Sequence, residues 1–334
     1  MLPTAIAVLL WCGAGSPSSP AVAQPSAVST AVASVGGKPV SVADFTAALR
    51  RAGLDREGSS EQQIQARAEV LEKLVDARLL RNEIEGRKIE VAEPEVAAIV
   101  EQMRAQLSTN NLTLDEFLAR SGNDERSLRG EITLELGLNK LIRPRMTNEA
   151  IEAAFLKHRR DIDGTRLRAS HILLRPDPGR GEDAIPAAVR EANAIRRDIL
   201  QGHITFANAA RKFSVGPSRR QDGDLGFFPR QGVMVDDFAR TAFTLAKGDI
   251  SKPVVTPFGV HLIMVTDVVQ GEARLEQLRP QVEKLLAQEF LRELLTRARA
   301  ETDIVYAPDV PHFDPATPAG DSSPRRIIVS APPE

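Results

Sequence analysis

Apolar residues recur at steps of three and four through the first half of the chain. Ile64, Val70, Leu71, Leu74, Val75, Leu79 and Leu80 form one such stripe, which predicts a long helix stopping near Gly86. A second helix is predicted over 92–107, with Pro94 in the first turn, where its missing N–H is tolerated. Thr113 and Glu116 have the spacing of a capping box ahead of a short helix to about Ser121. Two more helices follow over 123–141 and 147–158. Strand-like alternation in this half is confined to residues 31–35, ahead of a Gly36-Gly37 turn, and the run finds its counterpart far downstream at 303–306. The two runs are suited to pair and clamp the ends of one lobe, and Ser41 is placed to cap a first helix.

The period changes at about Gly164. Short β-like runs at 169–174 and 259–265 alternate with helical segments at 185–200, 205–212 and 236–245 and with Gly/Pro turns, among them Gly223-Asp224-Leu225-Gly226. This mixture predicts a compact α+β domain over 164–270. From 274 to 300 a long amphipathic helix carries Leu275, Leu278, Val282, Leu285, Leu286, Phe290, Leu294 and Leu295 on one stripe. That stripe needs a partner, and the N-terminal helices are the obvious one. The reading is therefore a helical module at 24–163, an α+β domain at 164–270, a returning helix and strand at 271–307, and a Pro-rich, aperiodic tail at 308–334 expected to be disordered.

Composition narrows the function classes. The 334 residues are 42% hydrophobic, 26% charged and 4% aromatic, which excludes collagen-like and disulfide-scaffold chains. Forty-three Lys plus Arg against forty-five Asp plus Glu give a formal charge of −2, so no global basic field exists to hold nucleic acid. The single Cys and single Trp are neighbours, Cys12 and Trp11, in a leader that runs from a short apolar core to Ala21-Val22-Ala23. Such a leader reads as a secretory signal over 1–23, cut after Ala23. The apolar run is about half of the roughly 20 residues a membrane span needs. Cleavage places the mature protein in the periplasm or another extracytoplasmic space with neither thiol nor disulfide. Lipid anchoring through Cys12 is the alternative.

Familiar catalytic motifs are absent: no phosphate-binding G-x-x-x-x-G-K-[ST], no G-x-S-x-G, no H-E-x-x-H and no Cys/His metal cluster. Of five His residues, His171 and His261 lie inside apolar strand-like runs that open and close the α+β domain, so they can be neighbours in its sheet. Taken alone, a histidine in a strand is more often a satisfied core residue than a catalyst.

The order of motifs adds to this. RASHILLR, then FSVGPSRRQDGDLGFF from Phe213, then 234–245 followed by GDISKPVVTPFGVHLI resemble the consecutive signature blocks of the parvulin (rotamase) family of peptidyl-prolyl cis-trans isomerases, over about 166–267. With its flanking helices, the chain further resembles exported bacterial foldases of the SurA and PrsA type. The resemblance implies an α+β fold in which a parvulin-type domain, a small antiparallel sheet surrounded by helices, is inserted into a mainly helical chaperone-like lobe. It implies a site in which His171 and His261 form a hydrogen-bonded pair joined by Thr256, while Leu225, Met234, Phe238 and Phe258 bind substrate. Gly216 stands where the family places a Cys or an Asp, which puts a catalytic group in doubt.

The implied chemistry needs no nucleophile, metal or cofactor. An X-Pro bond turns over a barrier of roughly 20 kcal/mol, and a site that desolvates the amide and binds its twisted form best accelerates the turn. The implied partners are unfolded or proline-containing polypeptides, with no nucleic acid. The loop over 175–184 mixes Arg175 and Arg180 with Asp177, Glu182 and Asp183, so no preference for phosphorylated substrates is expected. Two readings follow: an exported isomerase and chaperone, or a client-binding holdase whose parvulin domain is catalytically silent.

Overall fold

The computed structural model describes residues 31–54, 60–314 and 327–328. The leader, with Trp11 and Cys12, and most of the Pro-rich tail lie outside the described residues. In chain order the elements are β1 (Ala31–Val35), β2 (Lys38–Ser41), α1 (Val42–Arg51), α2 (Glu61–Gly86), α3 (Glu93–Ser108), α4 (Leu114–Arg120) and α5 (Glu125–Ile142). Then come α6 (Asn148–Ile162), β3 (Arg166–Leu174), α7 (Ala184–Leu200), α8 (Phe206–Phe213), β4 (Asp224–Pro229), α9 (Asp236–Thr244), β5 (Val254–Thr256) and β6 (Gly259–Val269). The chain closes with α10 (Leu275–Glu301), β7 (Ile304–Tyr306), β8 (His312–Phe313) and β9 (Ile327–Ile328). Two compact units result: Met1–Thr147 with Leu286–Glu334, and Asn148–Leu285.

In the first unit the antiparallel sheet runs β2-β1-β7, with Ala33 opposite Tyr306 and Val35 opposite Ile304. The two alternating runs thus pair across more than 260 residues of sequence. Val32, Val35 and Val40 pack with Phe45 and Leu49 of α1, with Leu71, Val75 and Leu79 of α2, and with Ala298 of α10. Local chemistry sets the helix starts: Ser41 Oγ accepts the Asp44 N–H at 3.0 Å, and Thr113 and Glu116 close a reciprocal capping box. Val96, Val100, Leu114, Leu118, Leu128 and Ile132 bury a second core among α3, α4 and α5. Leu294 completes a third with Leu80 and Leu141, so the later half of the α10 stripe meets the N-terminal helices.

The segment after residue 308 departs from its expected disorder at its start. Phe313 is buried, His312 stacks on Tyr306 with ring centroids 4.3 Å apart, and β8 pairs with β9. Two-residue strands have no period, so His312–Phe313 and Ile327–Ile328 are invisible to a reading of periodicity.

In the second unit a four-stranded antiparallel sheet runs β4-β3-β6-β5. Side chains alternate across its two faces. Ile172 and Leu174 of β3 with Val260 and Leu262 of β6 pack under α7 and α8. Leu167 and Ala169 with Ile263 and Val265 face the opposite way, toward Phe238, Ala242 and Phe243 of α9 and Phe228 of β4. α6 is tied to this unit by the Arg160 guanidinium, which donates to the Leu245 carbonyl at 2.5 Å. The sequence reading takes Gly223-Asp224-Leu225-Gly226, which includes the start of β4, as a turn. Gly223, just before the strand, and Gly226 within it are turn-like, at φ +78° and +69°, yet the chain between and after them still ladders against β3 with one register slip.

Candidate active site on one sheet face

Alternation assigns the key histidines to one face. His171 lies two positions from Ala169 on β3, and His261 lies two from Ile263 on β6, so both point to the side covered by α9. The register sets His171 opposite Ile263 and Leu173 opposite His261, making the two histidines diagonal neighbours. Their Nδ1 atoms are 3.2 Å apart, and their rings stack at 5.3 Å with 28° between planes. Phe238 presents itself edge-on to both, at 5.9 and 5.4 Å. Both histidines are buried.

Thr256 reaches the same network from β5. Its Oγ1 accepts the Phe258 N–H at 3.1 Å and lies 2.8 Å from His261 Nε2, closer than the 3.4 Å to the Gly259 carbonyl. Assigning the Thr256 proton to the shorter contact makes His261 Nε2 the acceptor, and in that tautomer His261 donates from Nδ1 to His171 Nδ1 while His171 carries its proton on Nε2. That Nε2 is buried and has no hydrogen-bond partner. Burial pushes both imidazoles below the usual histidine range, and the neighbouring His171 adds to the shift of His261, which titrates at about 4. Both rings are neutral at pH 7.

Gly216 lies against that unpartnered atom. A Cβ at this position would stand 3.0 Å from His171 Nε2 and 3.4 Å from Ser214 Oγ, so Gly216, 45 residues from either histidine in sequence, lies beside the pair in space. Ser214, buried just after α8, accepts the Leu173 N–H at 3.1 Å and the Gly216 N–H at 3.2 Å, stitching the loop to β3. Ser214 thus anchors the backbone of the Gly216 loop beside β3, a contact absent from the sequence reading. Its signal is the block FSVG itself.

Leu225 and Met234, both half-buried, pack against the core that holds Phe238. These three, with His171, His261 and Thr256, share one face. Phe258 is the exception: its side chain is 63% exposed on the turn between β5 and β6, and only its backbone N–H enters the network. Arg219 donates to the Arg211 and Lys212 carbonyls. No cluster of His, Cys, Asp and Glu suited to a metal occurs among the described residues.

Residues 171–267 match the PPIC-type PPIase (rotamase) domain family, and residues 2–142 match the SurA-like N-terminal domain family. A chaperone SurA of Polaromonas sp. is 36% identical over 146 residues, covering 44% of this chain and 28% of that protein. A foldase protein PrsA of Halalkalibacterium halodurans is 28% identical over 284 residues, covering 80% of this chain and 75% of that protein. The chain thus spans about a quarter of the SurA relative's length and three quarters of the PrsA relative's. A solved structure of PrsA from Bacillus anthracis aligns over 69% of this chain and 96% of its own, at 23% identity and a TM-score of 0.38.

Proposed function

We propose that this chain, which carries a PPIC-type PPIase domain behind a SurA-like N-terminal domain, is an exported foldase that binds unfolded polypeptide and turns X-Pro peptide bonds. One observation carries the reading: the His171–His261–Thr256 network lies against Phe238 on the same sheet face as Leu225 and Met234. An apolar pocket beside a chain of neutral polar groups suits a substrate that is itself an apolar ring next to an amide. Leu225, Met234 and Phe238 grip the prolyl ring and strip water from the amide. Twisting the C–N bond removes its resonance and its partial double-bond character. A desolvated site that prefers the twisted form lowers the barrier, each ~1.4 kcal/mol giving a factor of ten. The histidine pair, with one proton between two facing Nδ1 atoms, serves as a fixed polar floor and not as a nucleophile.

Client contact centres on this unit. Val215, Val233 and Phe258, exposed by 51%, 61% and 63%, each stand one or two positions from Gly216, Met234 or Thr256. Such side chains suit an extended apolar segment flanking the proline. We propose no preference for phosphorylated substrates, a reading supported by Asp177 lying 3.8 Å from Arg180 in the loop after β3. Export follows from the leader at 1–23, and secreted or outer-membrane proteins are the fitting clients.

The test is the isomerisation rate of a proline-containing peptide with the mature protein. Acceleration that falls with His171→Ala and with Met234→Ala supports the reading, and a rate equal to buffer overturns it. The second reading, a holdase with a silent domain, is favoured by Gly216 beside the unpartnered His171 Nε2. It prevails if deleting 166–268 leaves suppression of client aggregation intact while the full chain shows no isomerase activity.

A further inference from the structure

Arg168 lies on β3 three residues before His171, half-exposed, and faces Asp224 at the start of β4. The contact is a fork. Arg168 Nε donates to Asp224 Oδ1 at 3.1 Å and Nη2 donates to Oδ2 at 2.6 Å. Arg168 holds the Asp224 carboxyl below the usual carboxylate range, and Asp224 raises the Arg168 guanidinium above its own. On the other side of Arg168, β6 places Asp267 directly opposite, and Lys247 holds Asp267 at 2.7 Å. Charges therefore alternate from Lys247, in the turn after α9, through Asp267, Arg168 and Asp224 on three neighbouring strands.

The end of that row grips the turn that carries Leu225. Asp224 Oδ1, besides accepting from Arg168 Nε, accepts the Gly226 N–H at 3.1 Å. Gly226 is in the left-handed region at φ +69°, and the turn it makes sets Leu225 against the Phe238 core. The same turn is bonded to the histidine. The His171 N–H donates to the Gly223 carbonyl at 2.9 Å, and a Cβ on Gly223 would stand 2.4 Å from the His171 carbonyl oxygen. The register of the β3–β4 ladder slips here, between Arg168 and Ser170, so regular pairing does not fix the turn. A carboxylate anchored at both oxygens does.

We propose that Arg168 and Asp224 are positioning residues for the proline pocket, locking the Gly223–Gly226 turn so that Leu225 and His171 keep a single geometry. Neither touches the substrate. The proposal rests on the isomerase reading for the meaning of the pocket but not for the coupling itself. A point charge cannot replace a fork, so Arg168→Lys restores only part of what Arg168→Gln loses.

The experiment uses the full mature chain with Arg168→Gln, Arg168→Lys, Asp224→Asn and the Arg168→Gln/Asp224→Asn pair. Michaelis kinetics on a proline peptide are run beside amide exchange at Gly226 and His171. Arg168→Gln is expected to raise KM about fivefold with kcat within about twofold, because loosened apolar contacts bind ground and twisted states alike less well. Exchange at Gly226 rises about tenfold in the same variant, and the double variant loses no more than the worse single one. Unchanged KM, additive losses, or exchange rates equal to wild type each overturn the proposal. A wild-type chain that accelerates nothing defeats the isomerase reading instead, and amide exchange alone then decides whether Arg168 locks the turn.

Discussion

His171 and His261 meet Nδ1 to Nδ1 at 3.2 Å as diagonal neighbours on β3 and β6, with no carboxylate in the contact. One proton serves both facing atoms, so a second proton has no acceptor and both rings resist protonation. His261, pushed down to about 4, sits well below the ~6.5 of an unfolded chain. Between those values the unfolded state binds a proton that the folded state refuses. Stability from this source is complete above about pH 6.5 and is lost as pH falls toward 4, by up to about 3 kcal/mol. Urea unfolding midpoints at pH 4.5, 5.5 and 7 check this. The pH slope is expected to shrink in His261→Gln, and an unchanged slope would show that the pair does not govern acid sensitivity.

The glycine at 216 invites a gain of function. Asp at this position brings a carboxylate to the unpartnered His171 Nε2, although its Cβ starts 3.0 Å from that atom and the ring must yield by a few tenths of an ångström. Gly216→Asp is expected to raise kcat/KM about tenfold, equivalent to ~1.4 kcal/mol, and to move the His171 titration upward because a carboxylate favours the imidazolium. Gly216→Ala supplies the same crowding without the acceptor and is expected to lower kcat/KM. Equal rates in all three proteins would mean that the position has no part in turnover.

Much of this site was legible because its signals are local and ordered. His171 and His261 sit in apolar runs whose alternation sends both to one face, and Ser41, Thr113 and Glu116 announced their caps by spacing alone. Three features were not legible. β4 hides behind Gly223 and Gly226, because a strand that begins in a left-handed turn reads as the turn. The Arg168–Asp224 fork joins residues 56 apart, and nothing in either neighbourhood names the other. The exposure of Phe258 depends on where the β5–β6 hairpin ends relative to α9, a tertiary fact that no local pattern encodes.

Met234 and Phe238 separate binding from folding. Phe238 is 2% exposed and touches Phe228 and both histidine rings, so Phe238→Ala is expected to cost about 3–5 kcal/mol of stability. Met234 is only half-buried at the margin of that core. Met234→Ala is therefore expected to cut kcat/KM about tenfold while costing about 1 kcal/mol or less in stability. Thermal melts beside peptide kinetics check the split. A Met234 variant that loses stability and keeps its rate would make the residue core and not pocket.

The ends of the α+β unit supply the last prediction. The sequence reading bounds the domain at 164 and 270, the compact unit that contains it runs from Asn148 to Leu285, and several bonds cross the narrower limits. Asp163, buried, accepts the Thr165 N–H at 2.9 Å and the Thr165 hydroxyl proton at 2.6 Å. Thr165 Oγ1 in turn accepts the Gly271 N–H at 3.0 Å, and the Asp163 carbonyl accepts from Ala273 at 3.2 Å. The entering and leaving chains are so close that a Cβ on Gly271 would stand 2.1 Å from the Asp163 carbonyl oxygen. A fragment of 164–270 loses Asp163, Gly271 and Ala273, and with α6 it loses the Arg160 bond to Leu245. Hydrogen bonds are worth about 1 kcal/mol each, and with α6 also gone the deficit reaches about 3 kcal/mol or more. On a domain of this size that lowers Tm by at least about 10 °C. Melting the two fragments side by side, 148–285 and 164–270, measures the difference. Equal midpoints would mean that the junction closes the chain without stabilising it, and that the sequence boundaries already enclosed the folding unit.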